Sequence, residues 1–210
     1  MENDASGAAV IGDVVDSRGR RRTGWHDELV AALDRVNAQV PAEQGLAPTV
    51  GDEFQGLYAD VGAALRTTAL VRLELDSELD CRFGVGLGDY RQIGRGALPI
   101  QEGTAWWSAR EAIVTAEQLE SVRHPTVRTW VVSAADDGPV NAYLLARDHL
   151  VTQMDPRTRR LLLGLLQGRT QRELAEREGI GQSAVSRNLR RNGAYAVLAG
   201  MQLMEGGRPT

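Results

Sequence analysis

Three carboxylates fall where strand geometry would let them meet. Asp13 closes the apolar run Ala8-Ala9-Val10-Ile11-Gly12-Asp13-Val14-Val15, and Asp52 and Glu53 lie between Pro48-Thr49-Val50 and Phe54-Gln55-Gly56-Leu57-Tyr58. A buried strand with a terminal acid, set beside a hairpin with acids at its tip, brings like charges together. Such charges repel unless a cation neutralises them, and an all-oxygen set without His or Cys suits Mg²⁺ or Mn²⁺. The three histidines, His26, His124 and His149, are scattered and make no metal spacing. Asp16 adds a fourth acid, followed by Ser17, Arg18 and the run Arg20-Arg21-Arg22. Beside a metal such guanidiniums clamp phosphates bidentately, whereas elsewhere an Arg run is a solvated face. The plain alternative for the acids is a solvated hairpin tip next to a strand-end carboxylate.

A second group of residues has the chemistry of nucleic-acid contact. In Gln171 to Arg190, QRELAEREGIGQSAVSRNLR, Leu174, Ile180, Val185 and Leu189 supply apolar faces, and Ala175 is small where two helices would cross. Gly179 stands where a first helix must end in a left-handed conformation. Over about 20 residues the segment resembles the helix-turn-helix of phage repressors and many bacterial regulators. That resemblance implies that a second helix enters the major groove with Gln182, Ser183, Ser186 and Arg187 at base edges and Arg190 and Arg191 near phosphates. The alternative is a packing or dimerisation module without DNA contact.

The elements that must position these groups follow from periodicity. Residues 1–7 are small and polar and read as frayed. A strand over 8–15 leads to a helix bearing Trp25, Leu29, Leu33 and Val36, then a break over 41–47, the acid-tipped hairpin, and an amphipathic helix over 61–75. A strand over 81–87, a glycine-rich connection over 86–96, a helix over 105–121 and a strand over 127–132 complete this part. The order predicts an α+β sandwich with helices on one sheet face. Beyond the Asp136-Asp137-Gly138-Pro139 turn the signals are helical to about Met204. The expected units are therefore 1–138, a connecting helix within 139–152, and an all-α unit over 153–210.

Charge is divided to match. Residues 1–150 hold 14 Arg against 23 acids, and residues 151–210 hold 10 Arg against 5, which makes the C-terminal part the basic one. Every basic residue is Arg, so no lysine chemistry is available. The single cysteine, Cys81, has no partner for an internal disulfide, and no export signal or membrane-length apolar run is seen; the expected setting is the cytoplasm, without membrane insertion.

VIGDVVDSR, TVGDEFQGLYA and RFGVGLG together resemble the palm-type core of class III nucleotide cyclases and diguanylate cyclases. With the helix Ala109 to Ile113 and the C-terminal segment, the series resembles the SatD-like family over most of the chain. The resemblance implies a ferredoxin-like βαββαβ core in which Asp13 and Asp52 hold two Mg²⁺ ions on a nucleoside triphosphate; Glu53 joins them as a metal ligand on the reading of the three carboxylates above. Backbone N–H groups of Val14, Val15, Asp16 and Ser17 would receive phosphate, with Arg18 and Arg110 as phosphate clamps. The sequence departs from the cyclases where Trp106 stands four positions before Arg110 in place of a ribose-binding Asn, and where a base-reading lysine is absent. The Trp106-Trp107 pair offers either a stacking surface or core. Three functions are open: a DNA-binding regulator, working as a homodimer, that senses a nucleotide with Mg²⁺; a metal-dependent cyclase or nucleotidyltransferase; and a catalytically inactive oligomeric scaffold.

Overall fold

The computed structural model describes residues 5–15, 24–75, 78–93 and 100–208. Strand β1 (Ala5–Val14) is followed by α1 (Trp25–Asn37), β2 (Gln44–Pro48), β3 (Phe54–Tyr58), α2 (Val61–Glu74) and β4 (Cys81–Ile93). Then come β5 (Ile100–Glu102), α3 (Thr104–Val122) and β6 (Thr129–Val132). Five helices end the chain: α4 (Gly138–Gln153), α5 (Pro156–Leu166), α6 (Gln171–Glu178), α7 (Gln182–Arg191) and α8 (Ala194–Met204). The sheet runs β2-β3-β1-β4, antiparallel at each step, with β6 parallel to β4 and the short β5 paired to the far end of β4. The first six elements thus take the βαββαβ order, and β6 makes the sheet mixed.

Strand β1 is apolar at successive positions because both of its faces are covered. Ala8, Val10 and Val14 enter the large core with Leu29 and Leu33 of α1 and Leu65 and Leu70 of α2. Ala9 and Ile11, one residue out of phase, enter a smaller core with Ala105, Trp106, Ala109 and Ile113 of α3. This corrects the expectation of helices on one face only: α3 takes the opposite face. The glycines of RFGVGLG allow it. A Cβ on Gly84 or Gly86 would lie inside the α3 backbone at Ala109 and Ile113, or at Ala105 and Ala109. Both are close-packing positions in the strand, and the expected glycine-rich connection over 86–96 is corrected in its first part, since β4 continues to Ile93. Two smaller corrections have the same origin in sheet pairing. Residues 5–7 belong to β1, since Ala5 opposes Tyr90, and the hairpin's first strand is 44–48, which leaves Thr49 to Glu53 as the turn.

The helices after Gly138 pack on the sheet unit without a gap in the core. Helices α5 and α8 lie against α2, and α4 lies between β6 and α8. One buried cluster runs from Ala8 through Leu70 and Leu144 to Val197, so apolar burial is continuous across residue 138. Among the described residues no helix is long and apolar enough to cross a membrane.

Candidate functional site

Pairing of β1 with β3 and β4 fixes the acidic site. Asp13 opposes Arg82 on β4, and Gly12 opposes Phe54, the first residue after the turn that carries Asp52 and Glu53. That turn is closed by hydrogen bonds from the Thr49 N–H to the Glu53 carbonyl (2.8 Å) and from the Glu53 N–H to the Val50 carbonyl (3.3 Å). Asp13 is partly buried, and its Oδ1 has no hydrogen-bond partner among the described residues. Its Oδ2 lies 3.4 Å from Arg82. Burial pushes the Asp13 carboxyl up to about 6, against the pull of Arg82, and the charges of Asp52, Glu117 and Glu120 add to the rise.

Glu53 faces elsewhere. Arg110 of α3 donates to its two carboxylate oxygens at 2.6 and 2.8 Å, a bidentate pair. The hydrogen bonds to Glu53, together with the nearby charges of Glu53 and Asp13, hold the Arg110 guanidinium above its usual range despite partial desolvation. Among the described residues no group of three or more Asp, Glu, His or Cys side chains is placed to share a metal ion. The expected three-acid set therefore resolves into Asp13 facing the Asp52 charge, with Glu53 neutralised by Arg110. The pair still fits a hard dication. A buried, unpartnered carboxylate oxygen and a second carboxylate charge beside it form a hard-oxygen donor set, and Mg²⁺ commonly takes one or two protein carboxylates and completes its shell with water and substrate phosphates. The expected phosphate nest is altered, because the Val15 N–H donates to the Asp80 carbonyl at 3.0 Å and Val14 lies within the ladder opposite Cys81. Asp16, Ser17 and Arg18 fall outside the described residues.

Asp13 is also the end of a chain of alternating charges that the sequence reading did not anticipate. Arg82 lies 2.8 Å from Glu120 and Glu120 lies 3.0 Å from Arg128. Arg128 lies 2.9 Å from Asp80, Asp80 2.8 Å from Arg72, and Arg72 3.1 Å from Asp148. Asp148 of α4 is 0% exposed and Arg72 and Arg147 are 1% exposed, so the far end sits in the core where the sheet meets the terminal helices. Its carboxylate also accepts the Arg128 and Thr129 N–H groups at 2.8 and 2.7 Å, which ties α4 to β6. From α5, Arg159 reaches the Arg72 carbonyl. Once β1 and β4 are paired in register, Arg82 opposite Asp13 is readable; the helical partners are not.

The basic helices form the second candidate site. Thr170 and Glu173 make a reciprocal capping box at the start of α6. Gly179, with φ 64°, ends that helix in the left-handed conformation, and the Ile180 N–H closes on the Ala175 carbonyl at 3.0 Å. Leu174, Ala175, Val185 and Leu189 are buried, and Leu174 packs onto Gly164 of α5. On the other side of α7, Gln182, Ser183, Arg187, Arg190 and Arg191 are exposed and Ser186 is half-buried.

The fold at this point is a mixed α+β sheet unit with an acidic pair at one strand end, continuous with a basic all-helical tail. The sequence matches the SatD family over residues 8–202, and the chain belongs to that family. Among curated proteins no sequence matches it. Solved structures with a similar arrangement include two of a bacterial light-regulated adenylyl cyclase. They are 12% and 10% identical over 57% and 63% of this chain, with TM-scores of 0.43 and 0.46. The matches span 42% and 44% of those proteins, under half their length. A third is the guanylyl cyclase Cya2, 12% identical over 52% of this chain and 70% of that one, with a TM-score of 0.37.

Proposed function

We propose that this SatD-family chain is a DNA-binding transcriptional regulator whose sheet unit senses a nucleotide bound with Mg²⁺ or Mn²⁺. The observation that carries the reading is the division of α7. Val185 and Leu189 hold the helix to the core, while Gln182, Ser183, Arg187, Arg190 and Arg191 face solvent together. Amide and guanidinium groups at the start of such a helix match base edges, and those at its end match phosphates. Two copies in a homodimer would present two such helices to successive turns of a duplex.

Asp13 and Asp52 are the metal-binding carboxylates in this reading, and Arg110 is the phosphate-facing cation, released from Glu53 when a triphosphate competes for it. The charge chain from Asp13 to Asp148 supports the sensing role. A dication beside Asp13 repels Arg82, and Glu120 and Glu117, 2.8 and 3.3 Å from that guanidinium, stand ready to hold it. The displacement reaches Arg128 and Asp80, and so the α4 anchor.

The test is fluorescence anisotropy of the full chain with duplex DNA at low salt, then with selected sites. Arg187→Ala should weaken binding to a selected site by about 1–3 kcal/mol. No affinity for any duplex at low salt refutes the reading. Convergence of Asp13, Asp52 and Arg110 favours one alternative, a metal-dependent cyclase or nucleotidyltransferase. There the metal would supply activation of a hydroxyl and stabilisation of leaving pyrophosphate. Pyrophosphate release from a nucleoside triphosphate, abolished by Asp52→Ala, would establish it.

A further inference from the structure

Five large apolar side chains are exposed among the described residues, and four of them belong to α3 or to the turn it clasps. Trp107, Val114 and Val122 are 69%, 43% and 75% exposed along the helix, and Val50 is on the turn whose Glu53 is held by Arg110. Trp106, one residue before Trp107, is buried in the smaller core. At about 100° of rotation per residue, Val114 stands about 20° and Val122 about 60° round the helix from Trp107. The three therefore form one ridge, turned away from the buried Ala105, Ala109, Ala112 and Ala116. An apolar ridge on an otherwise polar helix face marks a contact surface.

The ridge is complementary to itself when reversed. If two copies of α3 pair antiparallel about a twofold axis, with Trp107 of one against Val122 of the other, Val114 falls beside the axis and each end contact forms twice. The surface cleft of about 410 Å³ that Trp107 lines with Tyr90 and Thr104 is then the space that Val122 of the second copy enters. The polar neighbours match in the same register. Glu111 faces Gln118, and Arg110 lies about 3 Å along the axis from Glu117 of the second copy, on the same side of the ridge. Glu117 is free to serve there, since its side chain is 65% exposed although it also touches Arg82. The exposed Glu111 and Glu117 set this face against nucleic acid and anionic membranes, which leaves a protein surface as its occupant.

We infer that the outer face of α3 is the interface between two copies of this chain, with the helices antiparallel and Val114 at the twofold axis. The inference deepens the homodimer of the proposed function by naming the surface that makes it, and rests on that reading. Small residues are not needed at the crossing, because Val114 and Thr115 suit the 8–10 Å separation usual for packed helices. Trp107 is the anchor at each end, a large side chain that loses its exposed area against Val122.

Sedimentation velocity of the full chain without DNA tests the interface apart from duplex binding. The wild-type protein should sediment as a dimer at micromolar concentration. Val114→Arg sets two like charges beside the axis and should raise the dimer dissociation constant about 10-fold or more, with an unchanged far-ultraviolet circular dichroism spectrum. Cross-linking with a short bismaleimide reads the helix direction, since the native Cys81 is buried. In the antiparallel pair the two copies of residue 114 are offset by about 1.5 Å along the axis and those of residue 122 by about 22 Å. Val114→Cys should therefore cross-link and Val122→Cys should not. A wild-type monomer overturns the inference and leaves the ridge to a different protein, and so does a dimer that survives Val114→Arg. Equal cross-linking through residues 114 and 122 overturns it as well, because it requires parallel helices. A dimer of the expected behaviour without affinity for any duplex keeps this interface and removes only the DNA-binding reading.

Discussion

Asp148→Asn tests whether buried charge holds the terminal helices to the sheet. The wild-type carboxylate, 0% exposed, accepts five hydrogen bonds: from Arg72 at 3.1 Å, from Arg147 at 3.1 and 2.8 Å, and from the N–H groups of Arg128 and Thr129 at 2.8 and 2.7 Å. Asparagine keeps the shape but removes the negative charge, and its NH₂ group must face a donor in place of one acceptor. Arg72 keeps Asp80 at 2.8 Å, whereas Arg147 retains only neutral partners, Thr68 and Thr129 hydroxyls and the Leu65 carbonyl. Removing one member of a buried ion pair costs about 3–5 kcal/mol, because the other charge stays buried. Whole-protein stabilities of about 5–15 kcal/mol make this a large fraction. Urea denaturation followed by tryptophan fluorescence should show the midpoint falling by about 1–2 M, for a slope near 2–3 kcal/mol/M. A loss below about 1 kcal/mol would refute the reasoning, since it would mean that water reaches Arg147 and the junction is not closed. Combining Asp148→Leu with Arg72→Met and Arg147→Met should recover much of the loss, since an apolar replacement leaves no uncompensated charge.

Three further outcomes follow from individual contacts. Burial would push the Asp80 carboxyl up, but the charge and hydrogen bonds of Arg72, with Arg128 and Arg159, hold it below the usual 3.8; its contribution is therefore full above that value and lost as pH falls through the lower folded-state value. The stability gap between wild type and Asp80→Asn should accordingly be constant near neutrality and narrow below pH 3.8, as read by urea midpoints across pH. Gly86→Ala should lower the soluble yield or melting temperature far more than Gly51→Ala, since only the former drives a Cβ into the α3 backbone. Thr170→Ala should cost about 1 kcal/mol by removing the α6 capping box, measured by thermal unfolding.

What the sequence discloses depends on whether a feature is local. The βαββαβ order and the turn carrying Asp52 are legible because apolar periodicity and turn residues act over a few positions. The side of the sheet that α3 covers is not local. Gly84 falls in the expected strand and Gly86 where a glycine-rich connection is expected, and only when a helix is seen lying on both does their lack of a side chain become a packing requirement. The acids divide in the same way. Asp13 and Asp52 are brought to one end of the sheet by strand pairing that alternation foretells, whereas Glu53 is withdrawn by Arg110, fifty-seven residues away on the opposite face.

The charged core was hidden for a further reason. An arginine in an amphipathic helix reads as solvated, because burying a lone guanidinium is costly. Arg72, Arg147 and Arg159 are inside because Asp148 is inside with them and the half-buried Asp80 pairs with Arg72 beside it, and neither sign alone would be tolerated. Short windows hold Arg147 beside Asp148 and Arg72 eight residues before Asp80, but the pairing that joins the two groups, Arg72 with Asp148, spans seventy-six residues. The same long-range pairing makes the junction specific. A purely apolar seam between sheet and helices would tolerate sliding, whereas Asp148 must meet the backbone N–H groups of Arg128 and Thr129, at the entry to β6, and two guanidiniums at once, which fixes where α4, and the basic helices that follow it, stand relative to Asp13.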